Sequence, residues 1–520
     1  MKAVPPSVLV VGAGPVGLTA AHELARHGVS VRVVDRAPGP ATTSRALATH
    51  ARTLEVYDQI GILDELLPRG QRVEHFTLHQ NGRRLVRFDT DYSHLPTRFP
   101  YTLMVDQTIT EEVLRASAAR HGVTVEWGVE VETFQDLGDG VEVRLRRPDG
   151  TPEHARAEWL VGCDGGHSTV RKQLGLPLSG TSNERWLIAD AHIDTPLRRD
   201  SIHWLRTRKG TIMLVPFPAP GKWRLLDTAE THYTSETALA ERFSRKITDG
   251  SGLPATVHTP DWISVFTIQQ RMIHRMRVGR CLLAGDAAHV HSPASGQGMN
   301  TGIQDAVNLA WRLAAVHHGA SPTFLDAYSA ERVPIGAALL ETTGRATVMI
   351  QQRSPYIAAI LRAATTVVRS VPPLKARIQR TIMGGMSALD LVYRDPAPRV
   401  SPSTTDGVGQ RLARVTSQRL ADSPGWQSVL TALRDPRWTL VIASPRAGSP
   451  PPWLDAHRDR LTTVTTDDAA VLHDLGLGPD GWILARPDGY VAARGSRLDA
   501  AALAALLPAS DMASYRGAPS

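Results

Sequence analysis

Cysteine is scarce in this chain, which contains only Cys163 and Cys281 among its 520 residues. Two thiols cannot build a cysteine-based metal cluster or the disulfide framework of a small secreted protein, and such sparing use is typical of a reducing compartment. The whole segment after Cys281 has no thiol that could exchange disulfides. We therefore expect a cytoplasmic protein that folds around an ordinary apolar core.

Long hydrophobic runs and blocks of basic residues are also missing. The charge-free apolar stretch from Ala3 to Ala21 is interrupted by Gly12, Gly14, Pro15 and Gly17, which argues against a membrane span and against the core of a signal peptide. The net charge is +7 and the sequence pI about 9.6, but the arginines are dispersed, so no nucleic-acid partner is predicted. A mildly basic protein favours anionic cofactors and phenolate or carboxylate substrates.

Aromatic residues make up only 5 % of the chain, beside 42 % apolar and 21 % charged residues. This balance excludes a disordered or fibrous chain and is typical of a globular one. The length predicts roughly two to four domains.

The first 35 residues contain a complete strand–helix–strand pattern. The apolar run from Ser7 to Val11 is typical of a buried parallel strand, and it leads directly into Gly12-Ala13-Gly14-Pro15-Val16-Gly17. A predicted helix, Leu18 to His27, precedes a second strand that finishes at Asp35. Such glycines let the backbone turn tightly and approach a pyrophosphate at a helix N-terminus, and Asp35 can accept both ribose hydroxyls. The pattern predicts a dinucleotide site without deciding between FAD and NAD.

Strand and helix patterns alternate along the rest of the chain. Alternating apolar residues from Ile188 to about Phe266 predict a separate sheet over a pocket, and a helix is predicted from about Thr301 to His318. Linker composition near residue 400 predicts a domain boundary. Further strands are predicted at 123–126, 129–134, 141–145, 159–163, 438–443, 482–486 and 490–493, and helices at 107–121 and 498–507.

Two further motifs follow the glycine motif in a fixed order. The first is Cys163-Asp164-Gly165-Gly166-His167-Ser168-Thr169-Val170-Arg171, and the second is Gly285-Asp286-Ala287-Ala288-His289, continued by Pro293, Gly296-Gln297-Gly298-Met299-Asn300 and Asp305. With these motifs the chain, over nearly its whole length, resembles the class A flavoprotein monooxygenases of the para-hydroxybenzoate hydroxylase superfamily. Within it, the chain is most similar to the larger bacterial hydroxylases of aromatic polyketides. An NAD-dependent Rossmann dehydrogenase would explain the first motif alone and would leave Asp164 and Asp286 without a role.

The resemblance implies an α/β fold with three parts. These are an FAD-binding Rossmann-like domain, an interleaved β-sheet substrate domain and a C-terminal thioredoxin-like domain. The implied limits are 1–75, 105–180 and 270–350 for the FAD-binding domain, 76–104 and 181–269 for the substrate domain, 351–395 for a helical connector and 396–520 for the C-terminal domain.

The resemblance also assigns the cofactor site. The glycines receive the FAD pyrophosphate, Asp35 holds the adenosine ribose, Arg45 contacts the phosphates, and Asp286 binds a ribityl hydroxyl. Asp164 and Arg171 are also associated with the approach of the pyridine nucleotide. The loop from Pro293 to Asn300 is expected beside the isoalloxazine, although it lacks the double proline and double glycine of many relatives. The full implied set is Gly12, Gly14, Pro15, Gly17, Asp35, Arg36, Arg45, Gln107, Asp164, Asp286, Pro293, Gly296, Gly298, Met299 and Asn300.

The implied activity is FAD-dependent hydroxylation of a phenolic, polycyclic polyketide-type aromatic substrate. NADPH or NADH reduces the flavin transiently, dioxygen then gives a C4a-hydroperoxyflavin, and the electron-rich ring attacks its distal oxygen. Baeyer–Villiger oxygenation, epoxidation and ligand binding without turnover remain alternatives. The expected partner is a small aromatic molecule, with no membrane or nucleic acid, and the expected assembly is a monomer or homodimer.

Several residues have a simpler structural interpretation. Because the flavin is the reactive group, His289 and His291 are interpreted as loop-fixing residues rather than as an acid–base pair or metal ligands. Cys163 and Cys281 are interpreted as small core residues. The sequence leaves open whether one apolar set lines a substrate pocket or fills a sheet core: Trp204, Met213, Val215, Phe217 and Trp223.

Overall fold

A computed structural model describes residues 6–292, 296–351, 363–368, 370–393, 407–444, 451–498 and 500–507. Within these ranges no helix combines the length and apolarity needed to cross a membrane. The strands are β1 (Val8–Val11), β2 (Val31–Asp35), β3 (Ala48–Thr49), β4 (Gln71–Val73), β5 (His75–Gln80), β6 (Arg83–Asp89), β7 (Thr102–Met104), β8 (Val125–Trp127), β9 (Glu130–Asp136), β10 (Val141–Arg146), β11 (Pro152–Ala157), β12 (Trp159–Gly162), β13 (Ser179–Asp194), β14 (Ser201–Thr207), β15 (Gly210–Pro216), β16 (Lys222–Asp227), β17 (Thr256–Val257), β18 (Trp262–Met272), β19 (Arg277–Val278), β20 (Cys281–Leu283), β21 (His289–Val290), β22 (Trp438–Ala443), β23 (Leu461–Thr466), β24 (Trp482–Ala485) and β25 (Val491–Gly495).

The helices alternate with these strands. They are α1 (Pro15–Arg26), α2 (Ala51–Gln59), α3 (Leu63–Leu66), α4 (Gln107–Arg120), α5 (Thr169–Gln173), α6 (Glu236–Ser251), α7 (Gly298–His317), α8 (Asp326–Gln351), α9 (Pro372–Ser387), α10 (Ser417–Ala421), α11 (Pro424–Leu433), α12 (Ala469–Leu475) and α13 (Ala500–Leu506).

The first sheet is built around the opening apolar run. Its strand order is β19-β20-β12-β1-β2-β8, and β1 pairs in parallel with both β2 and β12. Every residue of β1 is buried because helices cover both faces of such a sheet. The predicted strand–helix–strand unit is confirmed, with α1 beginning at Pro15 rather than at Leu18. The predicted α/β fold class with a Rossmann-like opening is therefore correct.

The second sheet follows the order β21-β18-β13-β16-β15-β14-β5-β6, with β17 added beside β13. Its strands include those expected between 188 and 266, but that stretch also contains helix α6, which the sequence reading missed. Two local signals mark this helix. Ser235 caps its start by accepting a hydrogen bond from the backbone N–H of Ala238 at 3.1 Å, and Gly252 ends it with φ +77°. Helix α6 covers one face of the sheet through Leu239, Phe243 and Ile247, leaving the other face for a cavity.

The C-terminal part forms a separate four-stranded sheet of order β23-β22-β24-β25. The pair β22–β23 is parallel and the pairs β22–β24 and β24–β25 are antiparallel. This order, with α11 and α12 packed in the same core, agrees with the predicted thioredoxin-like arrangement. Strand β22 has the predicted limits, whereas β23 was missed because Thr-rich Leu461–Thr466 carries little apolar signal.

A buried ionic cluster joins this C-terminal sheet to the rest of the protein. Glu331 of α8 accepts hydrogen bonds from Arg312 of α7 at 2.6 Å and from Arg486 after β24 at 2.7 Å, and Arg486 also pairs with Asp488. The two guanidinium side chains are fully buried. The predicted domain limits stay a prediction, because the boundary near residue 400 falls within 394–406, outside the described residues.

Candidate active site

A cavity of about 470 Å³ lies between the parallel sheet and the open face of the second sheet. Most of the predicted cofactor residues line it: Gly12, Gly14, Pro15, Asp35, Arg36, Arg45, Gln107, Asp164, Asp286, Gly296, Gly298 and Met299. Gly17 and Asn300 are not among the residues that line it, and Pro293 falls outside the described residues. Residues far apart in sequence therefore converge on one space.

The three glycines of the first motif have different steric tasks. Gly12 has φ +102°, and a Cβ there would lie 2.4 Å from the carbonyl oxygen of Cys163. A Cβ on Gly17 would lie 1.9 Å from the carbonyl oxygen of Gly12, so this glycine permits α1 to pack against the loop. A Cβ on Gly14 would meet nothing within 4 Å, and Gly14 is the residue that precedes α1 at the cavity wall. Because Gly14 has no side chain, the N-terminus of α1 stays open to a ligand.

The carboxylate of Asp35 is oriented by two backbone groups. Its Oδ2 accepts a hydrogen bond from the N–H of Ala13 at 2.7 Å, and its Oδ1 accepts one from the N–H of Ala37 at 2.8 Å. Each carboxylate oxygen has a second lone pair. The side chain is thus held at the end of β2 with acceptor capacity left for hydroxyl groups.

Arg45 belongs to a short segment that is fixed from two sides. Gln107, at the start of α4, accepts a hydrogen bond from the N–H of Ala46 at 2.9 Å, and its own N–H donates to Ser44 Oγ at 2.8 Å. From the other side, Arg224 donates to the carbonyl oxygens of Ser44 at 2.6 Å and Arg45 at 2.8 Å.

Arg224 is a site residue that the sequence reading missed. It lies on β16, lines the cavity, and forms a two-pronged buried ion pair with Asp190 of β13 at 2.8 and 2.7 Å. Arg224 has apolar neighbours in Trp223-Arg224-Leu225, and an arginine is unusual in a strand that is buried on both faces. This pattern could have indicated from the sequence that Arg224 has a special role. Arg224 therefore ties the second sheet to the loop that carries Arg45.

The middle motif is held together by capping. Asp164 Oδ2 accepts hydrogen bonds from the backbone N–H groups of Thr169 at 2.7 Å and Val170 at 3.2 Å, which fixes the start of α5. Arg171 is buried and donates to the carbonyl oxygens of Gly166 at 3.1 Å and Ala287 at 3.3 Å. The second and third motifs are consequently in direct contact.

The third motif presents an exposed carboxylate and a helix N-terminus to the cavity. Asp286 lies in a single 3₁₀ turn, Gly285–Ala287, after β20, and α7 begins at Gly298. Asn300 accepts a hydrogen bond from the N–H of His50 at 2.9 Å and donates to the carbonyl oxygens of Ala48 and Gly296, both at 2.8 Å. Asn300 therefore holds the loop in place instead of lining the cavity.

A series of ionisable side chains in mutual contact leads from the third motif into the protein interior. His291 Nε2 lies 2.8 Å from His289 Nδ1, and His289 Nε2 lies 2.6 Å from Asp305 Oδ2. Arg332 donates to Asp305 Oδ1 at 2.6 Å, and neither side chain of this pair is exposed. Burial opposes ionisation of Asp305, but Arg332 and His289 outweigh it and lower its pKa to about 2. Asp305 is thus a carboxylate.

The second sheet supplies an apolar wall, and the members of its predicted aromatic and apolar set lie at different places relative to it. Trp204, Met213 and Val215 line the cavity together with Phe76, Ile188, Ile202 and Leu226. Trp223 does not, because strand alternation places it on the opposite face, in the core that α6 covers. Phe217 is buried beneath Arg224, whose guanidinium carbon lies 5.2 Å from the ring centroid, and it also stays outside the cavity lining.

Helix α9 adds a part of the wall that the sequence did not indicate. Met386 near its end lines the cavity, and Gln297 donates a hydrogen bond to the carbonyl oxygen of Gly385 at 2.7 Å.

The two cysteines are buried, and burial raises the pKa of Cys281 to about 12 and that of Cys163 above the ordinary range. Neither thiol is therefore available as a thiolate nucleophile.

The residues of the cavity fit a dinucleotide on physical grounds. Gly14 leaves the N-terminus of α1 open, the N-terminus of α7 faces the same space, and Arg36 and Arg45 add positive charge. Asp35 and Asp286 offer acceptors for hydroxyl groups. The cavity thus combines an anion-binding part with a flat apolar wall.

Comparison with known proteins agrees with this geometry. The family model described as FAD binding domain matches residues 6–343. The chain is 48 % identical to 6-methylpretetramide 4-monooxygenase of Streptomyces rimosus, over 97 % of this chain and 93 % of that protein.

Solved structures are similar over nearly the whole chain. The OxyS anhydrotetracycline hydroxylase from Streptomyces rimosus matches with a TM-score of 0.75 and 31 % identity, covering 97 % of this chain and 100 % of the other. CabE, an aromatic hydroxylase from angucycline biosynthesis, matches with a TM-score of 0.73 and 30 % identity, covering 97 % and 99 %.

Proposed function

Because this chain belongs to the FAD binding domain family and is an FAD-dependent aromatic monooxygenase, we propose that it hydroxylates a phenolic, polycyclic polyketide-type substrate at the expense of NADPH or NADH. The observation that carries the proposal is the shared cavity, in which the glycine loop, Asp35 and Asp286 face the same space as the wall containing Trp204. Relatives named for tetracycline and angucycline intermediates support the polycyclic substrate class.

We assign different residues of the cavity to different parts of the FAD molecule. Gly12, Gly14 and the N-terminus of α1 would receive the pyrophosphate, with Arg45 as a charged partner, and Asp35 would hold the adenosine ribose. Asp286 would bind a ribityl hydroxyl, and Gly296, Gly298 and Met299 are the residues assigned to the flavin ring. When bound, FAD supplies the electron transfer and oxygen activation that no protein side chain provides.

The protein's own contribution is binding, orientation and charge. The partial positive charge at the N-terminus of α7 stabilises negative charge in the neighbouring part of the cavity. The apolar wall, with Phe76, Trp204 and Met213, excludes water and offers a flat surface for fused aromatic rings.

A spectrum followed by a turnover assay tests the proposal. Purified protein should show the absorption bands of oxidised flavin, and a polycyclic phenol should stimulate its NADPH or NADH oxidation and gain one oxygen atom. Product connectivity distinguishes hydroxylation from Baeyer–Villiger oxygenation and from epoxidation. A colourless protein that takes up no added FAD would contradict the proposal.

Asp286→Ala separates an enzyme from a binding protein. The variant should lose flavin and activity together, because it lacks the exposed carboxylate that faces the cavity. A protein that merely binds polycyclic ligands would retain its ligand affinity in this variant.

A further inference from the structure

The C-terminal sheet contributes no described residue to the wall of the cavity. The sequence has no cysteine after Cys281, so thiol chemistry is excluded in this part of the chain as well. Its buried contacts with the rest of the protein nevertheless lead to the third motif.

Tyr393 lies against the turn of residues 486–490, which joins β24 to β25. Its ring centroid is 4.6 Å from that of Tyr490, and the guanidinium carbon of Arg486 lies 4.7 Å from the Tyr393 ring. The backbone N–H of Tyr393 donates to the carbonyl oxygen of Gly409 at 3.0 Å. Residues of the C-terminal part therefore fix both the ring and the backbone of Tyr393.

The hydroxyl group of Tyr393 completes the hydrogen bonds of a buried arginine. It accepts a hydrogen bond from Arg332 Nη1 at 3.1 Å and a longer one from Asn308 Nδ2 at 3.4 Å. The other two guanidinium nitrogens of Arg332 donate to Asp305 at 2.6 Å and to the carbonyl oxygen of Thr301 at 3.1 Å. Because the side chain of Arg332 has no exposed surface, a nitrogen that lost the hydroxyl would be left without a solvent partner.

Asp305 extends these contacts to the cavity. Its Oδ1 pairs with Arg332, and its Oδ2 accepts a hydrogen bond from the backbone N–H of Gly285 at 3.1 Å. Gly285 immediately precedes Asp286, which lines the cavity. A Cβ on Gly285 would lie 2.8 Å from a methyl carbon of Val16, so this turn is tightly packed against α1. Asp305 therefore fixes the backbone that presents Asp286.

We propose that Tyr393 is a positioning residue through which the C-terminal sheet holds the FAD site. Its hydroxyl fixes Arg332, and Arg332 together with Asp305 fixes the turn that carries Asp286. The proposal rests on the proposed function, since it takes Asp286 as a residue that binds FAD. It gives the C-terminal sheet a task in cofactor binding.

The test compares two tyrosine-to-phenylalanine variants of the full-length protein. Tyr393→Phe removes the hydroxyl and keeps the ring beside Tyr490 and Arg486. Tyr57→Phe is the matched control, because the hydroxyl of Tyr57 is also buried and has no hydrogen-bond partner among the described residues. Folded apoprotein is titrated with FAD, and the change in flavin fluorescence gives the dissociation constant.

In Tyr393→Phe the dissociation constant of FAD should rise about 3- to 10-fold, which is the effect of one hydrogen bond. The visible circular dichroism of the bound flavin should change too, because a shifted Asp286 holds the cofactor differently. Tyr57→Phe should leave the flavin spectrum unchanged and the constant within about twofold of the wild type. A hydroxyl that served the fold alone would lower the urea midpoint of the apoprotein and change neither readout.

A second pair of variants tests the route through Arg332. Arg332→Lys keeps a positive charge near Asp305 but lacks the guanidinium that joins Asp305 to Tyr393. In this background, Tyr393→Phe should raise the FAD constant by less than about threefold, because two changes in one connected set of contacts do not add. If Tyr393→Phe does not fold, Arg332→Lys alone is compared with the wild type by the same two readouts.

Two results overturn the proposal. One is a rise below about threefold or an unchanged flavin spectrum in Tyr393→Phe, and the other is a full additional rise in the Arg332→Lys background. The wild type distinguishes these failures from a failure of the proposed function. A wild type that binds FAD and oxidises NADPH in response to a polycyclic phenol keeps the proposed function, whatever the variants do.

Discussion

The guanidinium of Arg224 donates a hydrogen bond of 2.8 Å to the main-chain carbonyl of Arg45, and so joins the second sheet to the loop beside the predicted phosphate site. The same guanidinium is paired with Asp190. The position of Arg45 thus depends on a strand that is distant in sequence.

Replacement of Arg224 by methionine should weaken FAD binding about tenfold, an effect of about 1.4 kcal/mol, because the loop carrying Arg45 loses its anchor and Asp190 loses its partner. Flavin fluorescence during FAD titration measures the dissociation constant. The control is Arg198→Met, since Arg198 is exposed and pairs at the surface with Asp200. Equal FAD affinity in the two variants would contradict the anchoring role.

Alanine at Gly14 and at Gly17 should separate binding from packing. Gly14→Ala adds a methyl group in open space at the cavity wall, so the midpoint of thermal unfolding should stay unchanged while the FAD dissociation constant rises at least about tenfold. Gly17→Ala forces a methyl group to within 1.9 Å of the Gly12 carbonyl oxygen and should destabilise the apoprotein by about 1–3 kcal/mol. Both quantities are measured on each variant, and a reversed pattern would refute this division.

Glu331→Gln should strongly destabilise the fold. Without the carboxylate, the buried guanidinium groups of Arg312 and Arg486 lose their shared partner, and breaking such a buried pair costs about 3–5 kcal/mol. Urea unfolding measures the loss. Arg419→Ala, which breaks the more exposed pair with Asp474, should cost less than about 1 kcal/mol.

Stability should begin to fall once the pH drops below about 6.5, the ordinary histidine pKa. Burial lowers the pKa of His27 and of His79 to about 4. The unfolded chain binds a proton at each histidine between these pH values and the folded protein does not, so stability is present above pH 6.5 and is lost as the pH falls toward 4.

Urea midpoints between pH 7 and 4 measure this loss, and His79→Gln should make it shallower. The exposed His154→Gln variant is the control and should leave the pH dependence unchanged. An identical slope in the wild type and in His79→Gln would rule out the contribution of His79.

Local patterns predicted the parts of the molecule in which sequence neighbours act together. The strand–helix–strand unit from Val8 to Asp35 could be identified because glycine spacing, an apolar run and a terminal acid all lie within one short segment. The other two motifs were interpreted through the resemblance to a known family. The same patterns did not distinguish Gly14 from Gly17, because the difference lies in what a Cβ would meet.

The sequence did not indicate which residues from distant segments come together at the cavity. Trp204 and Trp223 look alike as aromatic residues in strands, and both faces of their sheet are buried, so no polar alternation indicates which one faces the cavity. Arg224 and Met386 reach the site only through tertiary packing.

The charge cluster around Glu331 has a consequence for protein engineering. Arg312, Glu331 and Arg486 come from three segments, and Glu331 compensates the charge of both arginines. An exchange of Glu331 therefore removes a compensating charge from both guanidinium groups, and an exchange of either arginine leaves Glu331 with one partner fewer. The C-terminal sheet is therefore not an interchangeable module, and a chimaera that takes it from another parent must take all three positions together.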